Sequence, residues 1–239
     1  LSIIVFSLAT ACSGLVRKGE KPAEDWSRSV VIGEDAVGSI GMAVPESGDR
    51  VHLVWPYEDQ TGRKLRFVQM DEGASIKDAR DLTYPGHVRS PRLVTAGSAS
   101  LHLFWVTRQP GDLDWELWYQ LLALDGQSSS QPKMLTEKGT SVGHLEAHSD
   151  GDNGAIVIWD LGGNRGLKVL RIDPIGDLID GPHSIATSGN SPTFRVDPEG
   201  QVHTAWLDDR RFFYTELEVD DLSASEIVEI VDLGKWGTL

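Results

Sequence analysis

The sequence predicts an all-β propeller of four-stranded antiparallel blades, with four blades visible. Three observations carry that expectation: four segments align without gaps on a tryptophan, turn residues punctuate the chain throughout, and no amphipathic helical period appears. The tryptophans are Trp55, Trp105, Trp159 and Trp206, spaced by 50, 54 and 47 residues. A period in that range marks a repeat whose units cannot bury their apolar faces alone and must stack. Three copies also place a histidine three residues before the indole, at His52, His102 and His203. In the second and fourth copies a Ser-Pro pair leads the segment, with Pro91 and Pro192 each 14 residues ahead of the tryptophan.

Each copy reads as four strands. The first is a short apolar-alternating run such as Arg92-Leu93-Val94, followed by a turn rich in Gly, Asp, Ser or Asn (Gly97-Ser98, Asp150 to Gly154, Asp197 to Gly200). The second is β-branched and aromatic: Val51 to Trp55, Leu101 to Trp105, Ala155 to Trp159 and Val202 to Trp206. The third covers Lys64 to Met70, Glu116 to Leu122, Gly166 to Ile172 and Phe212 to Val219. A more irregular fourth follows at Ala79 to Thr83, Lys133 to Thr136, His183 to Thr187 and Glu226 to Val231. The blades then fall at about residues 39–88, 89–142, 143–190 and 191–239, inside a propeller region of 25–239. Four blades would need unusually steep packing and would leave sheet edges open, so the expectation is a fragment of a larger ring. Ser29 to Ile32 reads as the outer strand of a preceding blade.

Composition narrows the partners. Thirty-six acidic against 22 basic residues give a net charge of −14. Such a surface repels phosphate backbones and anionic lipid, which excludes nucleic acid and leaves membrane attachment to a lipid anchor. Residues 1–11 are apolar and uncharged, ending in small residues before the sole cysteine, Cys12. Eleven residues of helix span roughly 16 Å, half a bilayer core, so the segment is a signal-peptide remnant rather than a membrane span. Ala9-Thr10-Ala11-Cys12 resembles the lipobox of bacterial lipoproteins. That resemblance implies acylation of Cys12, a tether over residues 12–24, and a bacterial cell-envelope location.

The repeat is neither the Gly-His…Trp-Asp pattern nor a kelch pattern. It resembles the degenerate blades of the sialidase-like propeller superfamily. The matching pieces are Val51-His52-Leu53-Val54-Trp55, Leu101 to Trp105 with Glu116-Leu117-Trp118-Tyr119, and Val202 to Trp206 with Asp208 and Arg210. The likeness implies architecture. Sialidase chemistry would require three arginines on a carboxylate, a Tyr–Glu pair and an acidic donor, and that set is not assignable from the sequence. The superfamily's Asp-box is also absent.

Candidate chemistry is sparse. His52, His102 and His203 occupy one repeat position and so lie apart around a ring, which gives them a structural role rather than a shared metal. His144 and His148 lack the helical spacing context of a zinc site, and Asp150 to Gly154 fails as a calcium loop at Gly154. The densest charged cluster is Asp208, Asp209, Arg210 and Arg211, with Asp160 at the matching place in the third blade and Arg108 in the second. These are expected as solvated loops at one mouth of the ring, where propellers bind partners. No cofactor or metal is implied. The resulting expectation is a non-catalytic envelope lipoprotein that recognises or scaffolds a protein or glycan. The alternative is a glycoside hydrolase whose active-site residues lie partly outside this segment.

Overall fold

The structure, a computed structural model, describes residues 31–33, 35–46, 48–60, 62–71 and 75–232. Residues 1–30, with Cys12 and the first half of the Ser29 to Ile32 strand, lie outside the described residues; Val31 and Ile32 carry no strand. The first sheet holds β1 (Gly41–Ala43), β2 (Arg50–Asp59), β3 (Gly62–Asp71) and β4 (Ile76–Leu82). The second holds β5 (His87–Ala96), β6 (Ser100–Arg108), β7 (Glu116–Ala123) and β8 (Lys133–Met134). In the third are β9 (Leu145–Ser149), β10 (Ala155–Asp160), β11 (Leu167–Ile172) and β12 (Leu178–Ala186). The fourth is built from β13 (Asn190–Val196), β14 (Gln201–Asp208), β15 (Arg211–Glu218) and β16 (Val228–Asp232). Every pairing is antiparallel and joins sequence neighbours, so each sheet is a meander.

Burial explains the composition of the strands. The second strands are apolar on both faces because both faces are covered; β10 is buried at every position. The outer strands β4, β12 and β16 are largely exposed. On β4 the charged Lys77, Asp78, Arg80 and Asp81 guard an edge that would otherwise invite pairing. β8 is shorter than expected: the Leu135 amide still bonds the Leu117 carbonyl at 2.8 Å, but the Leu117 amide turns to the Thr136 hydroxyl at 3.1 Å instead of a backbone carbonyl. The recurring Ser-Pro pairs mark bulges. Ser90 and Ser191 adopt φ of 50° and 51°, and the register shifts there in both β5 and β13. Pro91 and Pro192 occupy these bulges, where a strand tolerates a missing N–H.

The four indoles occupy equivalent faces of their sheets, and three of them fill seams between sheets. Trp105 packs with Val54, Leu65 and Phe67 of the first sheet, filling the space between sheets one and two. Trp159 does the same against Phe104, Leu117 and Tyr119 of the second sheet. Trp206 meets Ile156, Ile158 and Val169 of the third. Trp55, on the leading face of the first sheet, is covered by the chain's own Ile32, Ala36 and Ile40. All four are 1–3% exposed. Two glycines make the seams possible. A Cβ on Gly126 would stand 2.4 Å from Phe67 in the preceding sheet, and one on Gly176 would stand 2.6 Å from the Tyr119 hydroxyl. Both have positive φ (79° and 94°), so turn geometry and close approach select the same residue. Among the described residues no apolar cluster joins the fourth sheet to the first, so the sheets form an arc.

Candidate functional site

In a four-stranded meander, the loop between strands two and three and the link to the next sheet emerge at the same end. That end carries loops 60–61, 109–115, 161–166 and 209–210, together with links 83–86, 135–144 and 187–189. It is the mouth at which the charged residues were expected.

The structure divides those residues. Asp160 is not in a solvated loop: it closes β10 and is 2% exposed. Its Oδ2 accepts the backbone N–H groups of His144 (3.1 Å) and Ser191 (3.0 Å) and lies 3.3 Å from Nδ1 of His144. The carboxylate therefore ties the start of the third sheet to the start of the fourth. It fits because residue 143 is glycine: a Cβ there would fall 1.8 Å from Oδ1. Asp208 is likewise engaged, accepting from Asn164 Nδ2 (2.8 Å) and Ser188 Oγ (2.7 Å), and these bonds hold it below the usual carboxylate range. Asp209 turns the β14–β15 hairpin at φ 55°, and Arg210 beside it is exposed. Arg211 lies 3.7 Å from Asp208 and 3.6 Å from Glu229, with its guanidinium over the Phe213 ring.

The recurring histidines lie on the faces that look toward the next sheet. His52 and His102 are fully buried. His102 places Nδ1 3.0 Å from the Tyr119 hydroxyl and Nε2 3.3 Å from the carbonyl of Asn153 in the third sheet. Burial, with Arg50 nearby, pushes the His52 imidazole down to about 4. His203 sits on the far face of the fourth sheet, with Nδ1 2.6 Å from the Tyr214 hydroxyl and Nε2 3.0 Å from Asp197. The three do not converge. Among the described residues, no three His, Cys, Asp or Glu side chains gather as a metal ion requires.

Along the inner strands runs an open cleft of about 240 Å³, lined by β1, β5 and β9. Arg92 grips Glu146 across it in a two-pronged pair (3.1 and 3.2 Å). Arg195 donates to Nε2 of His148 at 2.5 Å, and burial first, then Arg195, holds that imidazole down to about 4.

A second mouth cluster escaped the sequence reading. Arg89 and Arg108 both lie over the indole of Trp115, 3.8 and 4.8 Å from its centroid. Arg89 gives one N–H to the Val142 carbonyl (2.9 Å). Neither guanidinium has a carboxylate within ion-pair distance among the described residues. Burial, then the neighbouring Arg108, pulls Arg89 below its ordinary value against a weaker opposing pull from Asp160. Two like charges have been brought to one aromatic ring in a strongly acidic protein. Leu113, 88% exposed, projects from the loop above them. Three of the four residues belong to no repeat position; Arg108, aligned with the acids, is read from the sequence only as a replacement. A charge count by position would not have found the cluster.

No protein-family model matches the chain, and no curated protein matches it. Solved structures do. The Hadza microbial sialidase Hz136 superposes with a TM-score of 0.57 at 12% identity, over 82% of this chain and 47% of that one. The exo-β-1,3-galactanase of Phanerochaete chrysosporium gives 0.53 at 10% identity, over 81% and 50%. The NanB sialidase of Streptococcus pneumoniae gives 0.51 at 13%, over 79% and 29%. The fold is a sialidase-like propeller. At these identities the likeness is one of fold, and the chain spans half or less of the length of these three neighbours.

Proposed function

We propose that this chain is a non-catalytic recognition module that takes an anionic ligand, a carboxylate-bearing glycan or an acidic protein segment, at the mouth where Arg89 and Arg108 meet Trp115. The observation that carries this reading is a half-buried guanidinium that shares an indole with a second one, with no carboxylate within ion-pair distance among the described residues. Desolvating a cation is costly unless an anion joins it, and a planar fork over an indole is suited to a carboxylate. The non-catalytic part rests on the fate of the mouth acids: Asp160 and Asp208 are spent on internal hydrogen bonds. Export and acylation at Cys12 belong to the same proposal and rest on the sequence alone.

Calorimetric titration with sialyllactose, neutral lactose and a glutamate-rich peptide tests it. The acidic probes bind and lactose does not, and Arg108→Ala weakens binding roughly tenfold or more, the equivalent of one charged hydrogen bond. Equal binding of all three probes, or none, overturns the reading. The glycoside-hydrolase alternative is favoured by the sialidase and galactanase fold neighbours. Release of fluorophore from an aryl sialoside or galactoside, abolished by changing one carboxylate, would establish it instead.

A further inference from the structure

Two positions of each third strand flank the ladder partner of the tryptophan and look toward the next sheet. They are Leu65 and Phe67 in β3, Leu117 and Tyr119 in β7, Leu167 and Val169 in β11, and Phe212 and Tyr214 in β15. The first six are 0% exposed, each pair packed in the cluster it shares with the following sheet. Phe212 is 38% exposed and Tyr214 is half-buried, so the far face of the fourth sheet is aromatic and open. Its polar groups do not repeat those of the seams. Opposite the position of the recurring histidine, the third strands carry Gln69, Leu121, Arg171 and Glu216. Gln69 donates across its seam to the Leu124 carbonyl, and Arg171 to the Val219 carbonyl, both at 3.2 Å. On the outer strands, Arg80 and Lys133 stand opposite Phe67 and Tyr119. They reach Asp125 (3.6 Å) and Asp177 (3.3 Å) in turns of the following sheets. At these places the earlier sheet supplies cations and N–H donors, and the later one supplies acceptors.

The fourth sheet inverts that polarity. Glu216 takes the place of Gln69 and Arg171, and Val228, 50% exposed and opposite Tyr214, takes the place of Arg80 and Lys133. The Tyr214 hydroxyl donates to Glu216 at 2.7 Å, and Glu218 lies two residues further along the same face. Residues 190–232 hold 11 acids, three arginines and no lysine. Of the arginines, Arg195 is engaged with His148 and Arg211 with Asp208 and Glu229. We infer that the far face of the fourth sheet docks a basic protein segment, which lays apolar side chains on Phe212, Tyr214 and Val228 and brings a Lys or Arg to Glu216. Charge complementarity selects this occupant. A second copy of the chain would set a net charge of −14 against its equal. A further sheet of the kind seen here would meet Glu216 with carbonyl and carboxylate acceptors of its own. The inference is independent of the anionic-ligand site at the mouth.

The test is fluorescence anisotropy of a labelled, blocked peptide of Arg, Trp and Val, and of its counterpart with Glu in place of Arg, each titrated with the intact chain. The Arg peptide is expected to bind and the Glu peptide not. Glu216→Gln is expected to weaken binding roughly tenfold, the scale of one charge-assisted hydrogen bond. Val228→Lys, which restores the cation of the first two seams, is expected to weaken it at least as much. Glu58→Gln makes the same charge change on the first sheet and is expected to leave binding as in wild type. Thermal melts confirm that each variant is folded. Equal binding of the two peptides, no binding of the Arg peptide, or a loss that is the same in Glu58→Gln as in Glu216→Gln overturns the inference. So does binding that ignores both Glu216→Gln and Val228→Lys. Sedimentation of the chain alone reads the other occupant: a dimer that Val228→Lys dissolves would put a second copy on this face and overturn the inference as well.

Discussion

Trp105→Ala tests whether the seams hold the molecule together. The indole is 1% exposed and fills the space between the first two sheets. It stacks on Tyr84 with centroids 4.1 Å apart and lies 6.4 Å from Trp118. Removing a buried aromatic of this size costs about 3–5 kcal/mol, because Val54, Phe67 and Leu103 are backbone-fixed on strands and cannot collapse into the hole. Loss of the Tyr84 stack accounts for about 1 kcal/mol of that. For a domain of this length each kcal/mol moves the melting temperature by about 2–4 °C, so the expected fall is roughly 6–20 °C. Trp118→Ala, at the half-buried cross-strand partner of Trp105 on the same face, is the control and should cost less than about 2 kcal/mol. The assay is a melt followed by far-ultraviolet circular dichroism. A Trp105→Ala midpoint within about 2 °C of wild type would refute the seam reading.

The remaining predictions are of three kinds. His52 is buried neutral with its titration pushed down to about 4 from 6.5. The unfolded chain takes up that proton first, so stability is full above about pH 6.5 and is lost as pH falls toward 4, by about 2–3 kcal/mol. His52→Phe should flatten part of that acid slope in pH-dependent melts, and an unchanged slope would contradict the assignment. Gly176→Ala should destabilise by more than about 2 kcal/mol in a denaturant titration, since it combines a left-handed backbone with a clash on Tyr119; a neutral result would mean the sheets are not packed as described. In a bacterial host, palmitate label should enter the full-length protein and disappear in Cys12→Ser, and label that persists in the variant eliminates acylation there.

The repeat was legible in sequence because identical packing duties recur. Trp105, Trp159 and Trp206 face the preceding sheet, Trp55 takes the equivalent face of the first, and His52 and His102 face the following sheet, so their spacing alone located the seams. The Ser-Pro register also had a physical cause, the bulges at Ser90 and Ser191. The mouth was not legible. Asp160 reads as a loop acid by position, yet its burial depends on the missing Cβ of Gly143 and on the amide of Ser191, some 31 residues away. Arg89, Arg108 and Trp115 come from a bulged strand start, a strand end and a loop. No single period relates them; the β5–β6 pairing and the loop that follows β6 bring them together within the second sheet.

The most direct test of anion recognition at this mouth is a crystal structure of the chain soaked with sialyllactose. The ligand carboxylate is expected on the guanidinium groups of Arg89 and Arg108, with the sugar against Trp115. A ligand seated elsewhere, or Arg89 found paired with Asp160 instead, would contradict it.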